Sequence, residues 1–155
     1  MVPVSEWHGT LAMCGAGYKR MNPRTPKTLE DSVAAADAIR KTVQAYVDAV
    51  GAADPDAILA LYADDATVED PVGSRVRVGR DEIAAFYARS AGYANRSELL
   101  ACRIAGDSAA FHFRITTTLP DKTIEIEPID VMVFDEDAKI VQMRAFWAPE
   151  DYRTL

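Results

Sequence analysis

Histidine and cysteine are scarce in this chain of 155 residues, with two of each. His8 lies in an unpatterned N-terminal stretch and His112 inside a strand-like alternation, so a Ser-His-Asp or Cys-His nucleophile has little to build on. Cys14 and Cys102 lack CxxC spacing, which argues against a disulfide framework and a structural zinc site and fits a cytoplasmic protein. No cluster has metal-ligand spacing, so no metal is expected. No GxGxxG or Walker A run is present, so no nucleotide cofactor is expected. No apolar run approaches the roughly 20 residues of a membrane span, and no signal-peptide h-region opens the chain. Basic residues are in deficit, 17 Lys and Arg against 24 Asp and Glu, for a net charge of −7. That balance speaks against nucleic acid or an anionic membrane as a partner.

What the chain does hold is apolar residues, 49% of the total, in short periodic runs. This is enough for one domain with a sizeable core. Residues 1–27 mix Gly, Pro and single charges without period and read as a flexible N-terminal extension, with the domain spanning 28–155. Met21 offers an alternative start, which would leave Met1–Arg20 as an upstream extension. A helix is expected from Thr28 to Val50, with Ile39, Val43, Tyr46, Val47 and Val50 as its apolar stripe and Gly51 as its stop. Asp54-Pro55 opens a second, short helix with Ile58, Leu61 and Tyr62 inward. A strand over Ala66–Asp70 ends at Pro71 and Gly73, and a short strand follows near Arg75–Val78. A third helix, capped by Asp81, carries Ile83, Phe86, Tyr87 and Ser90 on its inner face and stops at Gly92. Strands then follow over Glu98–Ile104, Ser108–Leu119, Thr123–Phe134 and Ile140–Ala148. In the last of these, Val141, Met143, Ala145 and Trp147 share a face. Helices followed by an antiparallel meander indicate a small α+β domain.

Two acids stand out against this pattern. In Thr123–Phe134 the even positions Ile124, Ile126, Pro128, Asp130, Met132 and Phe134 share one face, since a strand alternates its side chains. Asp130 is thus a lone carboxylic acid on an apolar face. The odd positions Ile129, Val131 and Val133 are apolar too, so the strand is expected to be covered on both faces. Ala66, Val68 and Asp70 share a parity in the same way. A carboxylate in such a place is costly unless it is paired or protonated. Asp130 reads either as an acid hydrogen-bonded to backbone or as a protonated acid that donates to a developing oxyanion. Asp70 reads either as a turn former before Pro71 or as a general base. Tyr46, Tyr62 and Tyr87 read as core phenols or as a hydrogen-bonded chain ending at a substrate oxygen. Trp147 reads as core or as a roof over the base.

The runs YADDATVEDPVG (Tyr62–Gly73), GRDEIAAFY (Gly79–Tyr87), IDVMVFDEDAKI (Ile129–Ile140) and MRAFW (Met143–Trp147) resemble, in this order, those of bacterial ketosteroid isomerases of the nuclear transport factor 2-like superfamily. The resemblance covers roughly Ala36 to Trp147. It implies a cone-shaped α+β fold, with three N-terminal helices packed on a curved, mostly antiparallel sheet around an apolar pocket, and a homodimer. It implies a steroid substrate and no cofactor. It also implies Asp70 as general base, Tyr46 and a neutral Asp130 as oxyanion-hole donors, and Tyr62, Tyr87 and Trp147 as supporting residues. Val68, Phe86, Phe111, Phe113 and Met132 are then expected to line the pocket. Pro128, Phe111 and the 88–98 segment depart from the family pattern and bear on which steroid is bound. The superfamily also hosts polyketide cyclase-like enzymes and non-catalytic steroid or lipid carriers.

Overall fold

The computed structural model describes residues 28–90 and 92–155, so the expected N-terminal extension lies outside the described residues. The first helix, α1 (Leu29–Gly51), starts where the Thr28 hydroxyl accepts the Asp31 N–H at 3.0 Å. This supplies one of the donors that a helix N-terminus leaves without a partner. Gly51 closes it against the chain at Ser97: a Cβ there would stand 2.9 Å from the backbone nitrogen of Ser97. In α2 (Pro55–Leu59), Asp54 caps Ala57 N–H at 2.9 Å and Pro55 holds the first position.

The strands are β1 (Tyr62–Glu69), β2 (Arg77–Val78), β3 (Ala94–Ala105), β4 (Ser108–Thr118), β5 (Thr123–Ile126), β6 (Ile129–Phe134), β7 (Ile140–Phe146) and β8 (Arg153–Thr154), with α3 (Arg80–Tyr87) between β2 and β3. They form one sheet in which β2, β1, β7, β6 and β4 lie side by side in that order. Beyond β6, β4 pairs β5 along the same edge, and β5 pairs β8; β3 also pairs β4. The β1–β7 pairing is parallel and the other pairings are antiparallel. The helices cover one face, where α1, α2 and α3 meet β1, β4, β6 and β7 in a single hydrophobic cluster.

Several sequence expectations are corrected in detail. β1 begins at Tyr62, four residues before the expected start, and its pairing with β7 shifts between Tyr62 and Thr67. That irregularity leaves Asp64 exposed while Tyr62, Ala66 and Val68 stay buried. The cap of α3 is Gly79, whose φ of 81° turns the chain into the helix, and Asp81 sits inside the first turn. The helix tightens after Tyr87 into a 3₁₀ turn over Ala88–Ser90, short of Gly92.

The Thr123–Phe134 ribbon breaks at Glu127-Pro128, because proline has no N–H to give to a ladder. Its register on β4 nevertheless continues: Ile115 pairs Ile126 before the break and His112 pairs Ile129 after it. The even positions from Ile126 to Phe134 therefore all face the core, as the alternation requires. The odd face is not fully covered by this chain. Ile129 is 49% exposed, and Phe146 directly opposite it on β7 is 43% exposed. On β7, Met143 and Ala145 are buried as expected, but the strand ends at Phe146, two residues before the expected end, and half-buried Trp147 lies just beyond it. A register shift near Phe134 turns Ile140 inward as well.

Candidate active site

Asp130 lies at the centre of the buried face, 1% exposed, flanked across the sheet by Phe111 of β4 and Ala145 of β7. Among the described residues its Oδ1 has no hydrogen-bond partner, which is unusual for a buried polar atom. Burial pushes its carboxyl group well above the ordinary aspartate range, and the nearby Asp70 charge pushes the same way. The Tyr46 hydroxyl beside it acts in the opposite direction without reversing the shift. The direction of the shift favours the protonated carboxyl, the form that has an O–H to donate.

Tyr46 comes from the inward stripe of α1 and is 3% exposed. Its ring meets Phe111 and Phe113 edge-on, at centroid distances of 6.0 and 6.1 Å. Its hydroxyl lies 3.3 Å from that of Tyr87, which lies 2.8 Å from that of Tyr62. The phenol chain thus runs Tyr46, Tyr87, Tyr62, drawn from α1, α3 and β1. Burial raises all three phenols well above their usual value, so each stays protonated and able to donate.

Asp70 follows the last residue of β1 and is only partly buried. Trp147 Nε1, just past β7, donates to its Oδ1 at 2.6 Å. The parallel β1–β7 register, with Glu69 beside Arg144, brings the two together. Burial raises the Asp70 carboxyl, while the Trp147 indole and the Arg77 and Arg89 charges offset part of that rise. Its neighbour Glu69 points the other way. It accepts Gly73 N–H at 2.8 Å and pairs with Arg144 at 2.8 Å, which holds it below the usual range. One strand end thus presents a paired carboxylate tuned downward and, beside it, an acid tuned upward.

Apart from partly buried Asp70 at the strand end, the proposed site residues lie in or against the core. Val68, Phe111, Phe113 and Met132 are buried in the same cluster as Tyr46, Tyr62 and Tyr87, with Phe86 and Trp147 packed at its edge. Among the described residues, no three His, Cys, Asp or Glu side chains come together as a metal site would need. Sequence reasoning missed Tyr152, whose ring stands edge-on to Trp147 at 5.5 Å and whose phenol senses the Asp70 charge. No periodic signal marks a residue in so short a C-terminal segment.

Residues 43–143 match the sequence profile of the SnoaL-like domain. The chain belongs to that family. It is 51% identical over 113 residues to a Nocardioides simplex protein named Steroid Delta-isomerase, a match covering 73% of this chain and 92% of the relative. Among solved structures, the SnoaL-like chain is similar to SalBIII, described as an epoxide hydrolase/cyclase-like enzyme with a role in pyran ring formation in the polyether salinomycin. That likeness has a TM-score of 0.72 and 27% identity over 77% of this chain and 98% of the other. RV0760c from Mycobacterium tuberculosis shares the fold at a TM-score of 0.69 and 20% identity, over 76% of this chain and 96% of that one. The family and fold implied by the sequence blocks are thereby borne out.

The raised Asp130 carboxyl has a consequence for stability. A group that holds its proton more tightly when folded stabilises the fold below its unfolded pKa, and that contribution is lost as pH rises toward the folded value. Asp130→Asn, neutral at every pH, removes this dependence. The variant's stability relative to the wild type is therefore expected to rise as pH climbs above the ordinary aspartate value of about 4, read as the difference in urea midpoints. A constant difference across that range would show that Asp130 titrates normally.

Proposed function

We propose that this protein is a steroid delta-isomerase that moves the double bond of 3-oxo-delta-5-steroids into conjugation. The 51% identical relative named Steroid Delta-isomerase supports the substrate class. The observation that carries the chemistry is a buried acid, shifted upward and with one oxygen unpartnered among the described residues, beside a buried phenol, with a separate upward-tuned carboxylate nearby. Two donors suited to an oxyanion and one base suited to a carbon acid are the parts that enolisation of a ketone needs. A protonated oxyanion-hole aspartic acid is also the general pattern known for ketosteroid isomerase.

In this reading the steroid A ring enters first, with its 3-oxygen between Tyr46 and Asp130. Asp70 removes the 4β proton, and the C4–H electron pair moves toward the 3-oxygen to give a dienolate. Tyr46 and Asp130 donate hydrogen bonds to that oxygen, and Tyr87 and Tyr62 hold the Tyr46 phenol in place. The protonated Asp70 then returns the proton to C6, the double bond shifts from C5–C6 to C4–C5, and the carbonyl re-forms. No electrons are gained or lost and one proton changes carbon, so the reaction needs no cofactor. Val68, Phe86, Phe111, Phe113 and Met132 supply the apolar surroundings that keep water from competing for the oxyanion.

The deciding experiment mixes the purified protein with a delta-5-3-ketosteroid and follows the ultraviolet absorbance of the conjugated enone. Rapid growth is expected. Saturable binding without growth would make the protein a carrier. Neither binding nor growth would favour a different enolisable ketone and a cyclase-like role, the reading to which the SalBIII likeness lends weight.

The proposed working form is a cytoplasmic homodimer. Supporting it, Ile129 and Phe146 pair across β6 and β7 on the sheet face away from the helices, where this chain leaves them half exposed. Sedimentation equilibrium is expected to give a dimer, and Ile129→Glu with Phe146→Glu a monomer. A wild-type monomer at micromolar concentration would overturn this.

A further inference from the structure

The base has an unusual neighbour on its outer side. β2 is only two residues long, and its register places Arg77 directly across from Val68. Val68 faces the core and Asp70 lies two residues further on, so the Arg77 side chain starts on the face that carries the base. Its Nη1 donates to the backbone carbonyl of Asp70 at 3.5 Å and to that of Arg75 at 3.3 Å. Its guanidinium carbon stands 4.0 Å from the centre of the Phe86 ring. Arg89, just past α3, stands over the same ring at 5.7 Å.

The pairing of these two arginines differs from that of their neighbours. Arg75, Arg80, Arg114, Arg144 and Arg153 all form ion pairs with carboxylates. Among the described residues Arg77 and Arg89 form none; Arg40, Arg96 and Arg103 form none either, but the arginines whose charge acts on Asp70 are Arg77 and Arg89. Glu82 feels the Arg77 charge, but its carboxylate is taken up by the Val78 N–H and by Arg75. Two cations stacked on one aromatic ring, with no surface partner, leave the Asp70 carboxylate as a charge they can act on.

We propose that Arg77 is a positioning residue for the Asp70 base, assisted by Arg89 through the Phe86 ring. It tethers the carbonyl of the base residue and supplies the positive charge that favours its carboxylate. The proposal rests on the reading of Asp70 as general base and extends it, since the burial that tunes this acid upward also threatens to leave it protonated and idle. The other groups acting on Asp70 do not substitute for the pair. Trp147 of the β7 end donates a neutral hydrogen bond. Tyr46, Tyr62, Tyr87 and Tyr152 are phenols whose shifts keep them neutral, and burial favours the protonated form of Asp130 of β6. Arg77 and Arg89 are the cations that act on the Asp70 carboxylate from the described residues.

The test reads the Asp70 titration in two ways. Trp147 donates to Asp70, so its fluorescence reports protonation without any turnover; a Trp7→Phe background removes the only other tryptophan. The acid limb of kcat/KM reports it during catalysis. Asp70→Asn is expected to abolish the fluorescence transition, which assigns the signal. Arg77→Gln is expected to move both midpoints to higher pH, so that at about pH 5 kcat/KM falls at least about threefold further below its plateau than in the wild type. Arg77→Lys restores most of the midpoint, and exposed Arg89→Gln gives a smaller upward move. A residue that merely staples β2 would change thermal stability and leave the midpoints alone. Unchanged midpoints in folded Arg77→Gln overturn the proposal, and if that variant does not fold, an unchanged midpoint in Arg89→Gln does so. Asp70→Asn that abolishes the fluorescence transition yet still isomerises steroid counts against the base assignment alone.

Discussion

Asp70→Asn is expected to lower kcat on delta-5-3-ketosteroids by about 10²–10⁴, the largest loss from any single substitution in this protein. Asparagine keeps an oxygen that can accept from the Trp147 indole, now 2.6 Å from the carboxylate, so the local packing has no reason to change. What disappears is the group proposed to take the proton from one carbon and give it to another. Steroid affinity should change little, because the base contacts a C–H bond and not a polar handle of the substrate. The pH profile follows from the same residue. Burial raises the Asp70 carboxyl, so the acid limb of kcat/KM should lie above that of an ordinary aspartate, with activity lost as pH falls through it. Single-turnover kinetics with saturating steroid would test both points. A loss under tenfold would mean another group carries the proton.

Tyr46→Phe and Asp130→Leu are each expected to lower kcat by roughly 10²–10³, on the order of 3 kcal/mol of oxyanion stabilisation apiece. The two donors act on one oxygen, so the double variant should lose less than the product of the single losses. Tyr46→Phe removes one end of the phenol chain and leaves the 2.8 Å contact between Tyr87 and Tyr62 intact, so the fold should persist. Asp130→Leu replaces a buried neutral acid by an apolar group and should not destabilise the sheet for electrostatic reasons. A fused-ring phenol that resembles the dienolate gives an independent measure: its affinity should fall in both variants together with kcat. Turnover within tenfold of the wild type in either variant would show that the oxyanion is held elsewhere.

Much of this site could be read from alternation alone. Asp130 was legible because Ile126, Pro128, Met132 and Phe134 share its parity, and the register on β4 preserves that parity across Pro128. Tyr46 was legible because Val43, Val47 and Val50 fix the inward side of one long helix. The roles of the tyrosines needed the family blocks, since an inward phenol has the same pattern whether it is core or catalytic. Arg77 was not legible. It sat inside an expected short strand, but its relation to Asp70 depends on which residue of β1 it faces, and two residues of strand carry no register signal. The cap of α3 was misassigned to Asp81 because an acidic residue before an apolar stripe is a common start signal. Here a positive-φ glycine makes the turn two residues earlier. The break at Pro128 was visible in composition, yet a proline in an otherwise apolar alternation does not say whether the ribbon ends or merely skips a rung.

β7 lies between the two strands that carry the acids. On one side it runs parallel to β1, which delivers Asp70 to Trp147, and on the other it runs antiparallel to β6, where Ala145 faces Asp130. The spacing of the two acids is thus encoded by a seven-residue strand that contributes neither of them. Length changes along the chain should accordingly be tolerated very unevenly during divergence. Length changes in the Asp135–Ala138 turn would cost its contact with Thr42 of α1 but leave the β1–β7 and β6–β7 registers in place. A single deletion between Met143 and Trp147 would slide one half of the active site past the other while leaving every catalytic side chain present.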